Sequence, residues 1–153
     1  HEQMPNVNFL IAGDGTESPA IRAAAEDLPV IPLGWRSDVE RIVAASDAML
    51  LTSDNEGTPV SLIQAGLGGL PVISSDVGSV RDVVINNETG LLTAPSSADL
   101  ADALVRVLQD NELRDHLGSQ AQQVCKSRYS SEVLIRNHLS IYRELASTST
   151  LCV

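Results

Sequence analysis

The sequence predicts an α/β fold in which helices cover both faces of a parallel sheet. Short apolar runs alternate with helical segments over residues 7–93, and polar loops follow most of the runs. Repeated strand–helix–strand units form parallel sheets with right-handed crossovers. The composition agrees with this class, since 43% of residues are hydrophobic and only 3% are aromatic. Aliphatic runs of this kind are typical of strands that are buried on both faces.

Turn residues, prolines and capping residues divide the first half of the chain into elements. The run over 47–52 is wholly apolar between Asp47 and Thr52, which predicts a central strand. The predicted elements are a strand over 7–12, a helix over 17–27, a strand over 30–33, a helix capped by Ser37, a strand over 47–52, a helix from about Pro59 to Gly68-Gly69, and a strand over 71–75.

The second half changes from alternating elements to helices alone. A short helix over 80–85 and a strand over 90–93 complete the alternation, and helices follow from Ser96 onward. Residues 1–145 are expected to form one domain, and residues 146–153 a frayed tail. Two of the helices carry apolar stripes at helical spacing, formed by Leu100, Ala103, Leu104, Val107 and Leu108 and by Leu134, His138, Ile141, Tyr142 and Leu145.

Charge and hydropathy exclude several classes of partner. The formal net charge is −10, and Arg41 is the single basic residue between Asp38 and Arg81. A basic face for nucleic acid or for anionic lipid is therefore not expected. No apolar stretch approaches the roughly 20 residues that span a bilayer, and the N-terminus lacks signal-peptide features. With Cys125 and Cys152 as incidental reduced thiols, the expected location is cytoplasmic.

The polar loops of the predicted sheet mark the expected position of a ligand. In open α/β sheets, ligands bind beyond the carboxyl ends of the strands. Because parallel strands end at one edge of a sheet, the loops that follow them are expected to converge on one rim. Four loops are in this position, at 13–15, 34–36, 53–58 and 75–78.

The turn Gly13-Asp14-Gly15 gives the backbone the freedom to approach a ligand closely. It lacks the third glycine of the dinucleotide-binding pattern. A ligand contact through Gly13 and Gly15 and a plain tight turn are equally good interpretations of this turn by itself.

The segment from Ser53 to Ile73 is more informative. Glu56 lies directly before a predicted helix start, where free amide groups and the positive end of the helix dipole favour a diphosphate. Gln64 follows eight residues later, so both side chains can reach one rim and accept hydrogen bonds from sugar or ribose hydroxyls. Spacing alone favours the simpler alternative, in which Glu56 interacts with the helix dipole and Gln64 is a surface residue.

An ordered set of motifs extends from residue 7 to about 145. The central motif reads EGTP at 56–59 and LIQA at 62–65, and is followed by GLPVI at 69–73 and DVG at 76–78. The others are LIAGDG at 10–15, LGWRSDV at 33–39 and NETGLL at 87–92. Together they resemble the C-terminal, donor-binding lobe of the group 1 (family 4) retaining GT-B glycosyltransferases, whose hallmark is two glutamates separated by seven residues.

The resemblance implies a Rossmann-like lobe that binds a nucleotide-diphosphate sugar as substrate, with no separate cofactor and no metal. Glu56 matches the family's first glutamate, a catalytic residue that contacts the donor sugar near the reacting centre. Gln64 matches the second glutamate, which binds the ribose hydroxyls. The other implied donor-binding positions are Thr58, Pro59 and Val60 beside the sugar and phosphates, Leu33, Gly34 and Trp35 beside the base, and Gly13 and Gly15 of the first turn.

Three departures from the family pattern are visible. Gln64 replaces a glutamate and loses a charge-assisted hydrogen bond. Gly66 and Gly68 each cost the helix about 1 kcal/mol relative to alanine. The family's opening strand, with the arginine and lysine that clamp the diphosphate, is missing. The 3-2-1-4-5-6 strand order places that strand in the middle of the sheet, so the strands at 7–12 and 47–52 either pair directly or leave a gap.

The predicted function is that of the donor lobe of an enzyme that transfers a sugar, with retention, to an acceptor hydroxyl. The acceptor is expected to be held mainly by the missing N-terminal lobe, through which the protein can lie at the cytoplasmic face of a membrane, and residues 1–153 alone are expected to be inactive. Asp14, Asp54 and Asp76 are expected to form turns rather than bind metal. The alternatives are a non-catalytic nucleotide-sugar-binding or interaction domain and a GT-B-fold sugar epimerase.

Overall fold

Strands and short helices alternate along the first part of the chain, and longer helices follow. The computed structural model describes residues 4–149. The predicted α/β class is confirmed. The alternating elements are β1 (Phe9–Ala12), α1 (Ser18–Ala24), β2 (Val30–Gly34), α2 (Val39–Ala44), β3 (Met49–Leu51), α3 (Val60–Leu67), β4 (Val72–Ser75), α4 (Val80–Val83) and β5 (Gly90–Thr93). The later helices are α5 (Ser97–Gln109), α6 (Asn111–Tyr129) and α7 (Ser131–Ser149).

All the strand pairs are parallel, but the strands form two separate sheets. One sheet has the order β1-β2 and the other has the order β3-β4-β5. Within residues 4–149, β1 and β3 are not hydrogen-bonded to each other. Of the two arrangements that the sequence leaves open, the gap is the one observed. In the 3-2-1-4-5-6 order, the strands that correspond to β1 and β3 are the two neighbours of the first strand.

β4 separates two hydrophobic cores, because successive side chains of a strand point to opposite faces of the sheet. All four of its residues are buried. Val72 packs with Leu62 of α3 and Val80 of α4, whereas Ile73 packs with Leu100 of α5 and Leu117 of α6. Helices therefore cover both faces of the β3-β4-β5 sheet.

β3 is shorter and less buried than the sequence predicts. The central strand expected over 47–52 is reduced to Met49–Leu51, and its residues are only half-buried. Within the described part of the chain β3 pairs with β4 alone, so it forms an edge of its sheet. Its alternation still follows the two cores, since Met49 and Leu51 pack on one face and Leu50 on the other.

The start of α2 differs from the prediction, whereas the start of α3 agrees with it. Ser37 is not the capping residue of α2, because the helix begins after Asp38, whose side chain makes no capping bond. The Asp38 carboxylate instead accepts two hydrogen bonds from Arg36. α3 begins directly after Pro59, close to the start that the sequence predicts.

Glycines allow α3 and its neighbours to pack closely. A Cβ at Gly66 would lie 2.4 Å from Sγ of Cys125 in α6. At Gly68, directly after α3, a Cβ would lie 2.2 Å from Cγ1 of Val43 in α2. Both distances are far inside van der Waals contact, so the close approach of these elements offsets the low helix propensity of glycine.

α7 extends through Ser149 and so includes residues 146–149, the first part of the segment expected to be a frayed tail. Residues 150–153 lie outside the described residues. The apolar stripe of α7 is exposed, with 58% of Leu134 and 60% of Leu145 accessible to solvent, whereas Leu100 and Val107 in the stripe of α5 are buried. Among residues 4–149, no helix is long and apolar enough to cross a membrane.

Candidate functional site

Glu56 lies in the loop between β3 and α3, beyond the carboxyl end of β3. Its side chain and that of Ser53 are both half-buried. The Ser53 hydroxyl donates a hydrogen bond of 2.6 Å to Oε1 of Glu56. The carboxylate is therefore held by the loop that carries it, directly before the start of α3.

The loop between β4 and α4 packs against the backbone of Glu56. The Ser79 amide donates a hydrogen bond of 3.1 Å to the Glu56 carbonyl oxygen. Gly78 has a φ of +51°, and a Cβ built on it would lie 2.0 Å from the same oxygen. The β4–α4 loop thus reaches the Glu56 peptide at a distance that leaves no room for a side chain at Gly78.

An ion pair closes the β4–α4 loop. Arg81 donates two hydrogen bonds to the Asp76 carboxylate, of which the one from Nε to Oδ1 is 2.6 Å long. These hydrogen bonds hold the pKa of the Asp76 carboxyl below its usual value. The Asp76 amide donates to the Thr93 carbonyl of β5 at 2.9 Å, so the loop is tied to the sheet where it leaves β4.

The start of α3 lies next to Glu56 and is not capped by a side chain. Thr58 and Val60 are exposed, whereas Pro59 is buried and its carbonyl accepts a hydrogen bond from the Leu62 amide at 3.1 Å. The first amide groups of a helix have no intrahelical partner and lie at the positive end of its dipole. This end of α3 can therefore bind an anionic group such as a phosphate.

Gln64 is exposed on the second turn of α3. It lies four residues after Val60, so the two side chains share one face of the helix. An amide in this position can both donate and accept hydrogen bonds, which suits hydroxyl groups of a sugar.

The first sheet contributes two further loops, which contact each other. The Gly13 amide donates a hydrogen bond of 2.8 Å to the Gly34 carbonyl, and both residues have positive φ values of 140° and 65°. A cleft of about 310 Å³ opens at this point. It is lined by Ile11, Gly13, Asp14, Gly15, Thr16, Glu17, Ser18, Ile21, Arg22, Pro32 and Gly34.

Asp14 shapes the rim of this cleft. Its carboxylate accepts hydrogen bonds from the Ser18 hydroxyl at 2.7 Å and from the Gly15 amide at 2.9 Å. The Ser18 bond, followed by the Gly15 bond, lowers the pKa of the Asp14 carboxyl. This is the geometry of a turn-forming aspartate.

The stretch after β2 is more open. Leu33 is half-buried in β2, whereas 75% of the Trp35 side chain is exposed. Arg36 next to it donates hydrogen bonds of 2.8 and 2.7 Å to both carboxylate oxygens of Asp38. These bonds hold the pKa of the Asp38 carboxyl below its usual value.

The structure brings the predicted loops together in two separate pairs, and the convergence of all four loops on one rim stays a prediction. Gly13 and Gly34 meet at the first sheet, and the Glu56 loop meets the β4–α4 loop at the second. Sequence reasoning missed Ser53 and Ser79 as partners of Glu56. The predicted loops at 53–58 and 75–78 indicated their neighbourhood, but contacts between loops are not visible in spacing.

Two of the aspartates that follow strands are hydrogen-bonded to neighbouring side chains. Asp14 bonds to Ser18, and Asp76 pairs with Arg81. Among residues 4–149 there is no group of three or more His, Cys, Asp or Glu residues placed to hold a metal ion.

Comparison with known proteins gives a consistent result. The family model for glycosyl transferases group 1 matches residues 1–124. Among curated relatives, N-acetyl-alpha-D-glucosaminyl L-malate synthase of Bacillus anthracis is 29% identical over 145 residues, which cover 92% of this chain and 38% of the relative.

Solved structures share the fold. HepE of Anabaena, solved in complex with UDP, superposes with a TM-score of 0.81 at 26% identity, over 94% of this chain and 42% of that one. Sucrose-phosphate synthase of Thermosynechococcus elongatus gives a TM-score of 0.87 at 26% identity, over 95% of this chain and 40% of that one. The chain therefore spans about two fifths of the length of these proteins.

Proposed function

Because this chain belongs to the group 1 glycosyl transferases, we propose that it is the donor-binding lobe of an enzyme that moves a sugar from a nucleotide-diphosphate sugar to an acceptor hydroxyl with retention. The observation that carries this proposal is the position of Glu56. Its carboxylate is held by Ser53 directly before the uncapped start of α3. A carboxylate beside an anion-binding helix end fits a donor whose sugar is joined to a diphosphate.

The donor is proposed to lie along the rim from α3 to the loop after β2. The diphosphate meets the start of α3 at Thr58, Pro59 and Val60, and the sugar meets Glu56. Gln64, on the same face of α3 as Val60, binds the ribose hydroxyls. The base packs beside Leu33, Gly34 and the exposed ring of Trp35, and the glycine turn at Gly13 and Gly15 borders the adjacent cleft.

The negative charge of the leaving diphosphate needs stabilisation, and the candidate cations are Arg36 in the loop after β2 and Arg81 in α4. Arg36 and Arg81 are each bonded to an aspartate, Asp38 and Asp76 respectively. In the resting state these cations are therefore engaged, and the amide groups at the α3 start supply the stabilisation that this lobe offers to the departing charge. We propose that the cations of the diphosphate site come from parts of the full-length protein beyond residues 1–153.

The acceptor is proposed to bind mainly to that remaining part as well. Among the described residues, β1 and β3 belong to separate sheets and are not hydrogen-bonded to each other, and the loop that carries Glu56 directly follows β3. Residues 1–153 on their own are therefore expected to give no transfer, because both the acceptor contacts and the diphosphate cations are incomplete.

A non-catalytic nucleotide-sugar-binding domain is the second candidate. Gln64 favours it, because the amide makes weaker hydrogen bonds to ribose hydroxyls than the carboxylate that the family has there. A binding domain of this kind would retain nucleotide affinity without releasing nucleotide from a donor.

A turnover assay on the full-length protein separates these candidates. The purified protein is incubated with UDP-, GDP- and ADP-sugars, with and without a panel of sugar acceptors, and released nucleotide is measured. Acceptor-dependent release that falls about 100-fold or more in Glu56→Ala, but not in the exposed Glu112→Gln on α6, supports the transferase. Nucleotide-sugar binding without release from any donor supports the binding domain.

A further inference from the structure

We propose that the β4–α4 loop is a positioning element for Glu56, with Gly78 and Ser79 fixing the peptide that carries the carboxylate. This inference rests on the proposed function, because Glu56 matters here as the residue beside the donor sugar. Neither Gly78 nor Ser79 touches the donor in this account. They act through Glu56 alone.

Gly78 lies against the backbone of Glu56. A Cβ built there would lie 2.0 Å from the carbonyl oxygen of Glu56 and 2.9 Å from its carbonyl carbon and its nitrogen. The φ of +51° at Gly78 lies in the left-handed region, which residues with side chains rarely adopt. The backbone conformation favours glycine at this position, and the close approach of the Glu56 peptide leaves no room for a Cβ.

The next residue, Ser79, adds a hydrogen bond to the same peptide. The Ser79 amide donates to the Glu56 carbonyl at 3.1 Å, which fixes the orientation of that peptide. Ser53 holds the carboxylate at the other end of the same residue. Backbone and side chain of Glu56 are thus each fixed by a separate partner.

The β4–α4 loop is itself anchored in the core. On one side it follows Ser75, which is 2% exposed, and on the other it enters α4, where Val80 is fully buried and Val83 is 3% exposed. The Asp76–Arg81 ion pair spans the loop. Because the loop is anchored in the core at both ends, it can restrain the position of the Glu56 backbone that it contacts.

A displacement of Glu56 should affect turnover more than nucleotide affinity. A displacement of about 1 Å at a catalytic group can cost about 100-fold in rate. The base, ribose and diphosphate contacts proposed above come from α3 and from the first sheet, and not from the β4–α4 loop. Moving Glu56 should therefore lower kcat while leaving UDP affinity nearly unchanged.

The test compares Gly78→Ala with a matched glycine variant in the full-length protein. Gly118→Ala in α6 creates an equivalent steric conflict, 2.2 Å from the Gly69 carbonyl oxygen, at the opposite end of β4. Gly78→Asn is a second variant at the same position. Asparagine tolerates a left-handed φ but still places a Cβ against Glu56. Each variant is assayed for kcat and for UDP affinity below its unfolding temperature.

The proposal predicts a fall in kcat of about 100-fold in both Gly78 variants, with the Kd for UDP within about threefold and Gly118→Ala close to wild type. Crystal structures of the Gly78 variants should show Glu56 displaced. Wild-type kcat in Gly78→Asn, or an unmoved Glu56, would overturn the proposal. If wild-type protein turns over no donor, the proposed function fails, and the displacement of Glu56 still decides whether the β4–α4 loop positions it.

Discussion

The Ser53 hydroxyl donates a hydrogen bond of 2.6 Å to Oε1 of Glu56, across the loop between β3 and α3. Both side chains are half-buried, so this bond is partly shielded from water and the Glu56 rotamer is constrained. The hydrogen bond from Ser53 therefore restrains the orientation of the Glu56 carboxylate at the carboxyl end of β3.

Replacing Ser53 with alanine should lower turnover of the full-length enzyme about tenfold, since hydrogen bonds to charged groups contribute about 1.5–3 kcal/mol. The Kd for the donor's nucleotide should not change, because the Ser53 hydroxyl bonds to Glu56 and not to a position proposed to hold the nucleotide. The control is Ser119→Ala on α6, whose hydroxyl bonds only to the carbonyl of its own helix at His116. Equal kcat values for the two variants would contradict the role assigned to Ser53.

If the donor base packs on Trp35 as proposed, replacing Trp35 with alanine should weaken binding of the donor's nucleotide without destabilising the protein. The ring is 75% exposed, so it contributes little to the core, whereas stacking of a base on an aromatic ring is worth about 1–3 kcal/mol. Calorimetric titration should give a Kd about tenfold higher. Leu28→Ala, at a residue that is 53% exposed at the other end of β2, serves as the control. An unchanged Kd in Trp35→Ala would place the base elsewhere.

Replacing Gly66 with alanine should destabilise the protein by about 1–3 kcal/mol through overpacking. The added Cβ meets Sγ of Cys125 at 2.4 Å, and this conflict outweighs the gain of about 1 kcal/mol in helix propensity. Because the conflict is with one sulfur, Cys125→Ala in the same protein should restore part of the lost stability. Denaturant unfolding measures both effects. Gly15→Ala, with open space around the added atom, should leave stability nearly unchanged.

The Asp76–Arg81 pair should make the stability of the β4–α4 region depend on pH. The hydrogen bonds from Arg81 lower the pKa of Asp76, so their contribution is complete above the unfolded-state pKa of about 3.9. It is lost as pH falls through the lower folded-state value. Asp76→Asn should therefore lower the apparent Tm at pH 6, and the difference from wild type should shrink below about pH 4. A difference that is constant down to pH 2 would contradict the pairing.

The fold was largely predictable because its elements are local. Apolar runs and their turn residues give the strands and helices from β1 to β5, and β4 alternates between two cores as a buried strand must. The edge position of β3 was not predictable from its own residues. An apolar run such as Met49–Leu51 predicts a buried strand. It does not predict which strands lie beside it, because that depends on which segments of the whole protein complete the sheet.

The candidate site was predictable only in part. Glu56 and Gln64 stand out through their spacing in a recognisable motif, and Trp35 through its position after β2. The partners of Glu56 come from sequence-distant loops, and the contact between Gly78 and the Glu56 peptide is a property of the folded chain. From the sequence, Gly66 only lowers the helix propensity of its segment. The structure shows that Cys125 packs so closely against it that a Cβ would not fit.

A crystal structure of the full-length protein with the nucleotide sugar that it binds best in the donor panel would show whether Glu56 and the α3 start form the donor site. We expect the diphosphate at the amide groups of the α3 start, the sugar within hydrogen-bond distance of Glu56, and the ribose at Gln64. A nucleotide sugar bound with its diphosphate away from α3, and with no contact to Glu56, would contradict this arrangement.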